Sequence, residues 1–232
     1  MKKLTYLLIP VIVMLIIFGA CSKMNDLHDP YLKMGERIYL NKLDTAFIGP
    51  GTNRIKLSYL NTDPKAAIIK LYWQSKSDSL LITMDKNSLN DTVSILIPDF
   101  AEDTYTFQLV TMDSEKKYKS MPYEVNANVY GEKFANSLGD RSLSLSQYVT
   151  SLQELTLKWV RAPKYYIGSE IKYYPRGEST PKVLKISNTD NELKVPDFDI
   201  DKDLHIRTVY LPDVAAIDTF YTEFKLIKPL VK

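Results

Sequence analysis

The stretch RIKLSYL, Arg54 to Leu60, alternates apolar with polar side chains and carries an aromatic near its end. That is the period-two signature of a strand with one buried face. One hundred residues on, ELTLKWV, Glu154 to Val160, repeats it. IKLYW (Ile69 to Trp73) is answered by IKYYP (Ile171 to Pro175), and ILIPDF (Ile95 to Phe100) by LKVPDF (Leu193 to Phe198). The offsets are 100, 102 and 98 residues, so a whole domain is repeated rather than a short solenoid unit. Turn residues separate the runs and helical periods are nearly absent. The fold class this dictates is all-β.

A repeat of about 90 to 100 residues with some seven short strands has the size of an immunoglobulin-like sandwich. In the first copy, PDFAEDTYTFQLVT (Pro98 to Thr111) sets a turn and then Tyr105 in an alternating strand. This resembles a fibronectin type III domain. The resemblance implies a tyrosine corner, in which the Tyr105 hydroxyl is tied to backbone a few residues upstream. The second copy, PDFDIDKDLHIRTV, offers Leu204 and His205 instead. Between the copies, NANVYGEKFANSLGDRS (Asn126 to Ser142) breaks the strand rhythm with Gly131 and Gly139, and reads as a linker with one helical turn. The expected organisation is sandwich 1 over residues 35–127, linker over 128–140 and sandwich 2 over 141–232.

GERIYLNKLD, PGTNRIKLSY, SKSDS, VYGEKF and LGDRS together resemble an uncharacterised Bacteroidota lipoprotein family. Its members are commonly encoded beside Sus-type outer-membrane glycan-uptake systems. The resemblance covers roughly residues 35–142 and implies partners among polysaccharides or outer-membrane transporter proteins.

The N-terminus points the same way. Lys2 and Lys3 precede an almost wholly apolar run from Leu4 to Ala20, and Phe18-Gly19-Ala20 stands directly before Cys21, the only cysteine. Basic head, apolar run and small residues make the pattern of a secretory signal over residues 1–20. LIIFGACSK resembles a bacterial lipobox, which implies cleavage before Cys21, lipidation there and anchoring to a membrane through two or more acyl chains. The alternatives are an uncleaved membrane helix and a secreted, unlipidated product. A single exported thiol forms no internal disulfide, so stability must come from packing. Residues 21–34 read as the lipidated N-terminus and a polar tether. Display on the outer-membrane surface is favoured over the periplasmic face.

Removing Lys2 and Lys3 from 30 basic residues leaves 28, against 28 acidic. A mature chain with no basic excess lacks the electrostatic footprint of a nucleic-acid binder. Histidine-based nucleophilic catalysis needs a placed imidazole, and the chain offers only His28, in the tether, and His205, in a strand. Neither has a nucleophile signature beside it. No cofactor motif is present.

Asp197, Asp199, Asp201 and Asp203 alternate in DFDIDKD and would be weak calcium ligands. An EF-hand, however, requires Gly at its sixth position and Glu at its twelfth, where Lys202 and Thr208 stand. The first copy has the thinner set Asp99, Glu102 and Asp103. A solvated turn is the plainer reading of both. Aromatic platforms that stack on sugars are sought among Tyr72, Trp73, Tyr165, Tyr166, Tyr173 and Tyr174. Neighbours in a strand face opposite ways, which assigns Trp73 and Trp159 to the core and leaves Tyr72, Tyr166 and Tyr174 as ligand-facing candidates. Asn53-Arg54 reads as turn chemistry plus a surface arginine, or as a brace for the linker between the domains, and not as a binding site. Asp44-Thr45-Ala46, Asp78-Ser79-Leu80 and Asp91-Thr92-Val93 resemble a Bacteroidota O-glycosylation sequon, making Thr45, Ser79 and Thr92 candidate acceptors.

The sequence thus supports a non-enzymatic, outer-membrane, lipid-anchored accessory protein that binds or scaffolds in a glycan-capture assembly. A structural or adhesive spacer that binds a partner protein is the alternative. Behind both stands a carboxylate-dependent glycoside hydrolase, since two suitably spaced acids are all that chemistry requires.

Overall fold

A computed structural model describes residues 39–232. Cys21 and His28, with the expected signal sequence and tether, lie outside the described residues.

In the first half, β1 (Thr45–Pro50), β2 (Ile55–Leu60) and β5 (Thr92–Ile97) form one antiparallel sheet in the order β1-β2-β5. Facing it, β3 (Ile68–Trp73), β4 (Asp78–Thr83), β6 (Asp103–Met112) and β7 (Tyr123–Val129) form a second sheet in the order β4-β3-β6-β7. Alternation supplies the core: Ile55, Leu57 and Tyr59 of β2 point inward and meet Ile69, Leu71, Phe107 and Leu109, all at most 2 % exposed. Truncating such a leucine to alanine costs about 2–5 kcal/mol.

The second half repeats the frame. β8 (Leu143–Val149), β9 (Glu154–Trp159), β12 (Glu192–Val195) and the short β16 (Leu230–Val231) give the sheet β12-β9-β8-β16, with β16 running parallel to β8. β10 (Tyr166–Tyr173), β11 (Lys182–Ser187), β13 (Leu204–Tyr210) and β14 (Phe220–Tyr221) give β11-β10-β13-β14. β15 (Lys225–Ile227) also pairs with β13, so the last strand is broken in two. The repeated sequences fall on equivalent strands: β2 and β9, β3 and β10, β5 and β12. Phe100 and Phe198, which close the third pair, are both buried. The protein is all-β with two fibronectin type III-like sandwiches. A short helix, α1 (Glu132–Ser137), lies between them, within the expected linker, while β7 runs on to Val129.

The tyrosine corner forms as the resemblance implied: Tyr105 is buried and its hydroxyl donates to the Ala101 carbonyl at 3.0 Å. The second sandwich closes the equivalent turn differently. Strand β13 opens on fully buried Leu204, which has no hydroxyl to give. Instead the Arg176 N–H donates to the Asp197 carbonyl at 2.7 Å, its guanidinium donates to the Pro196 carbonyl, and the Tyr173 hydroxyl reaches the Asp197 carboxylate at 3.4 Å.

Candidate functional site: the junction and the outer sheet face

Three of the stretches that carry the family resemblance, PGTNR, VYGEKF and LGDRS, meet where the two sandwiches join. Residues 40–232 form one compact unit, and the reason lies in this joint.

The β1–β2 turn supplies the first contact. Asn53 adopts a left-handed φ of 52°, a conformation asparagine tolerates better than most residues. Its N–H donates to the Tyr130 carbonyl at 2.8 Å, and its side-chain amide donates to the Phe100 carbonyl at 3.0 Å. Onto this turn comes the loop between β13 and β14. The Ile217 N–H donates to the Pro50 carbonyl at 2.8 Å, and the Asp218 carboxylate accepts from the Thr52 N–H at 2.8 Å and from Arg54 Nε at 3.0 Å. Arg54 Nη2 completes a two-pronged ion pair with Asp218, the geometry that makes arginine–carboxylate pairs strong. The hydrogen bonds from Arg54 hold the Asp218 carboxyl below its ordinary range, against the smaller opposing effect of burial. Gly51 is obligatory at this approach, because a Cβ there would lie 2.5 Å from Asp218 Oδ2.

Helix α1 is the second contact. Glu102, from the turn before β6, accepts from the N–H groups of Lys133 at 2.8 Å and Phe134 at 2.7 Å, capping the helix from the first sandwich. Phe134 then packs on Tyr130 and Phe220 with ring centroids 4.8 and 5.0 Å apart, in a cluster with buried Tyr166 and Tyr210. Aromatic pairs at such spacings are worth about 0.5–1.5 kcal/mol beyond the area they bury.

Arg141 stands behind this cluster, with every hydrogen-bond partner in the second sandwich. It is 4 % exposed, has no carboxylate partner among the described residues, and spends its donors on neutral oxygens. Nε donates to the Val160 carbonyl at 2.9 Å, Nη1 to the Tyr166 hydroxyl and the Asp190 carbonyl at 3.0 Å each, and Nη2 to Asn191 Oδ1 at 2.5 Å. The guanidinium also lies 4.7 Å from the Tyr166 ring centre. A charge this deep is tolerated only when so fully bonded.

Of the aromatic candidates, Tyr166 is therefore corrected. It is 6 % exposed and occupied by Arg141 and Ser169, facing the joint and no ligand. Alternation assigned one ring of the Tyr165-Tyr166 doublet outward, and that ring is Tyr165. Tyr174 is half-buried and Tyr173 buried, the Asp199 N–H bonding to the Tyr174 carbonyl. Trp159 is buried in its core; Trp73 is half-buried at the core edge, 5.1 Å from the Phe100 ring.

Tyr72 has the most informative surroundings. Register places Ser79, Tyr72, Gln108 and Glu124 in one row across all four strands of the β4-β3-β6-β7 sheet, on its outer face. Gln108 donates to Glu124 at 2.6 Å; the next two rungs are Thr106 donating to Asn126 at 2.8 Å and Thr104 to Asn128 at 2.7 Å. Tyr72, Trp73, Ser75, Lys76, Thr106 and Gln108 line an open recess on this face, and Lys70 Nζ hovers 4.7 Å from the Tyr72 ring centre. Thr45, Ser79 and Thr92 are all exposed. A glycan on Ser79 would stand directly beside Tyr72, so those two roles compete for one surface.

The carboxylates do not assemble into a metal centre. Asp199 Oδ1 accepts from the Asp201 N–H at 3.1 Å, Asp197 faces Tyr173, and Glu102 caps α1. Among the described residues no three acidic, histidine or cysteine side chains are placed to hold a metal ion. His205 is half-buried opposite Lys172 and Leu226.

Sequence reasoning missed Asp218, Arg141 and Phe220. Sequence offers Arg54 as a surface arginine or a brace for the linker; its partner is Asp218, 164 residues away in the β13–β14 loop, and nothing local points to it. The signal that was present is LPDVAAIDTF, Leu211 to Phe220, which breaks the strand alternation of the second copy.

Among solved structures, the chain is similar to a two-domain fibronectin type III segment from chicken tenascin, at 15 % identity and a TM-score of 0.33, over 80 % of this chain and 98 % of that one. It is likewise similar to the FN1–FN3 domains of chicken CNTN1, at 12 % identity and a TM-score of 0.45, over 84 % of this chain and 67 % of that one. No curated protein matches it. A family model covers residues 21–220, from Cys21 to Phe220 of the joint, and the chain belongs to that family, DUF4998, a domain of unknown function.

Proposed function

We propose that this protein is a lipid-anchored, non-enzymatic binding module at the outer membrane of a Bacteroidota cell, serving a polysaccharide-capture assembly. Residues 1–20 are its export signal, Cys21 its lipid anchor, residues 21–34 its tether, and the sandwiches its displayed part. The observation that carries the binding reading is the Tyr72 row. A ring beside parallel rungs of hydroxyl, amide and carboxylate groups suits a hydroxyl-rich chain, whose C–H faces stack on the ring while its hydroxyls exchange hydrogen bonds with the rungs. Tyr72 is the principal platform and Tyr174 the subsidiary one.

The test is binding of the fragment from Ser22 to Lys232 to a panel of soluble plant and host polysaccharides. Saturable binding that Tyr72→Ala weakens at least tenfold, with the melting temperature held, supports the reading. Silence across the panel transfers the role to the spacer reading, which the joint favours: two sandwiches tied by side-chain and backbone bonds suit holding a partner protein at a set distance. Co-purification with an outer-membrane transporter would then be the supporting result.

A further inference from the structure

The end of the first sandwich away from the joint holds a recess of about 210 Å³ between residues 61–67 and 84–91. Pro64, Ala66, Met84, Leu89 and Val93 give it apolar walls. Tyr59, the last inward-facing aromatic of β2, reaches it from the core side. The residue as a whole is 2 % exposed and lines the recess, and its hydroxyl, which is not among the fully enclosed unpaired atoms, has no hydrogen-bond partner among the described residues.

The other polar groups around the recess sort into spent and unspent. Asp63 is spent: its two oxygens accept from the N–H groups of Asn41 and Lys65, at 2.9 Å each. Asn61 is spent on the Asp63 backbone, donating at 3.0 Å and accepting at 3.3 Å. Asp85 is half spent. One oxygen accepts from the Asn87 N–H at 2.9 Å, capping the 3-10 turn Lys86–Ser88, and the other makes no hydrogen bond among the described residues. Burial and the nearby Asp85 charge both push the Tyr59 phenol up, which keeps it neutral and able to accept a proton donor. The lining holds two carboxylates against one lysine, so its field favours a cation over an anion.

We propose that this recess binds a primary ammonium group on a short apolar stem, the head donating to Asp85 and to the Tyr59 oxygen while the stem fills the apolar walls. The same chemistry is carried by a free alkylamine and by a lysine side chain of a partner protein.

The test uses full-length chain in detergent micelles, with the methyl signals of Met84 and Ala66 as reporters. Four probes are compared: n-butylammonium, the neutral alcohol n-pentanol, and the blocked peptide acetyl-Gly-Lys-Gly-amide beside its Nε-acetylated form. Butylammonium should shift both methyl signals saturably, with a dissociation constant on the order of millimolar for so small a ligand. Asp85→Asn keeps an oxygen to cap the turn and should weaken binding about tenfold; Tyr59→Phe should weaken it about threefold, the worth of one neutral hydrogen bond. A lysine peptide that binds more tightly than butylammonium, and loses binding on acetylation, assigns the site to a protein partner; the reverse order assigns it to a free amine. Equal affinity for pentanol, an unchanged affinity in Asp85→Asn, or no methyl shift at about 100 mM probe overturns the proposal.

Discussion

The outer faces of the two long sheets occupy the same place in the two sandwiches and carry opposite chemistry. In the second sandwich, the row Lys185, Glu170, Arg207 is closed on itself. Glu170 is 7 % exposed and pairs with Lys185 at 3.1 Å and Arg207 at 2.6 Å, and the Arg207 guanidinium is stacked 4.3 Å from Tyr221 and 4.5 Å from Phe224. Burial alone would raise the Glu170 carboxyl; the hydrogen bonds from Arg207 and Lys185 outweigh it and leave it below its ordinary range. In the first sandwich, the row Ser79, Tyr72, Gln108, Glu124 is neutral over most of its length and stays open to solvent. A shared frame fixes where the groups stand, and the side chains decide whether they are spent inside the molecule. The first face, whose rungs bond one another at the solvent surface, is the one on which ligand binding is proposed.

Four substitutions break or sharpen this contrast, in descending size. Arg141→Ala, behind the joint, takes the donor from one buried and three part-buried acceptors and should cost about 3–5 kcal/mol; chemical denaturation measures it, and a loss under about 1 kcal/mol would mean the site collapses without needing the charge. Arg207→Ala should open the closed row and cost about 2 kcal/mol, combining lost packing on two rings with a half-paired buried carboxylate. Tyr105→Phe should cost about 1 kcal/mol through the corner hydrogen bond alone, and an unchanged midpoint would show that the corner is ornamental here. Tyr72→Ala should leave stability within about 0.5 kcal/mol while removing the platform proposed for binding.

Acid should act on the joint with a definite sign. Asp218 has a folded pKa below its unfolded value near 3.9. Its ion pair therefore contributes stability above that value and loses it as pH falls through the folded pKa. Wild type should exceed Asp218→Asn in stability at neutral pH, and the two should converge as pH falls through the lowered folded pKa. A gap that stays constant with pH would mean the contribution of Asp218 is steric.

How much of this was legible follows the range of each interaction. Strand positions were readable because alternation in RIKLSYL and ELTLKWV records one buried face directly. The tyrosine corner was readable because its partner, Ala101, is four residues from Tyr105. Tyr166 was misassigned because period two says only that neighbours face opposite ways; near the joint, the outward side of one sandwich is the inside of the interface. Arg54–Asp218 and the bonds of Arg141 span long stretches of sequence, so no local pattern could pair them. The acidic turns looked alike in sequence, and only the placement of α1 gave Glu102 its role as a helix cap.

The central claim is that the joint makes the two sandwiches one rigid body. Its most direct test is a spin-label distance measurement on the fragment from Ser22 to Lys232, with nitroxides at exposed positions Thr83 on β4 and Val183 on β11. One narrow distance peak is predicted, broadening when Asp218→Ala and Phe134→Ala are combined. A wild-type distribution already as broad as that of the double variant would contradict the claim.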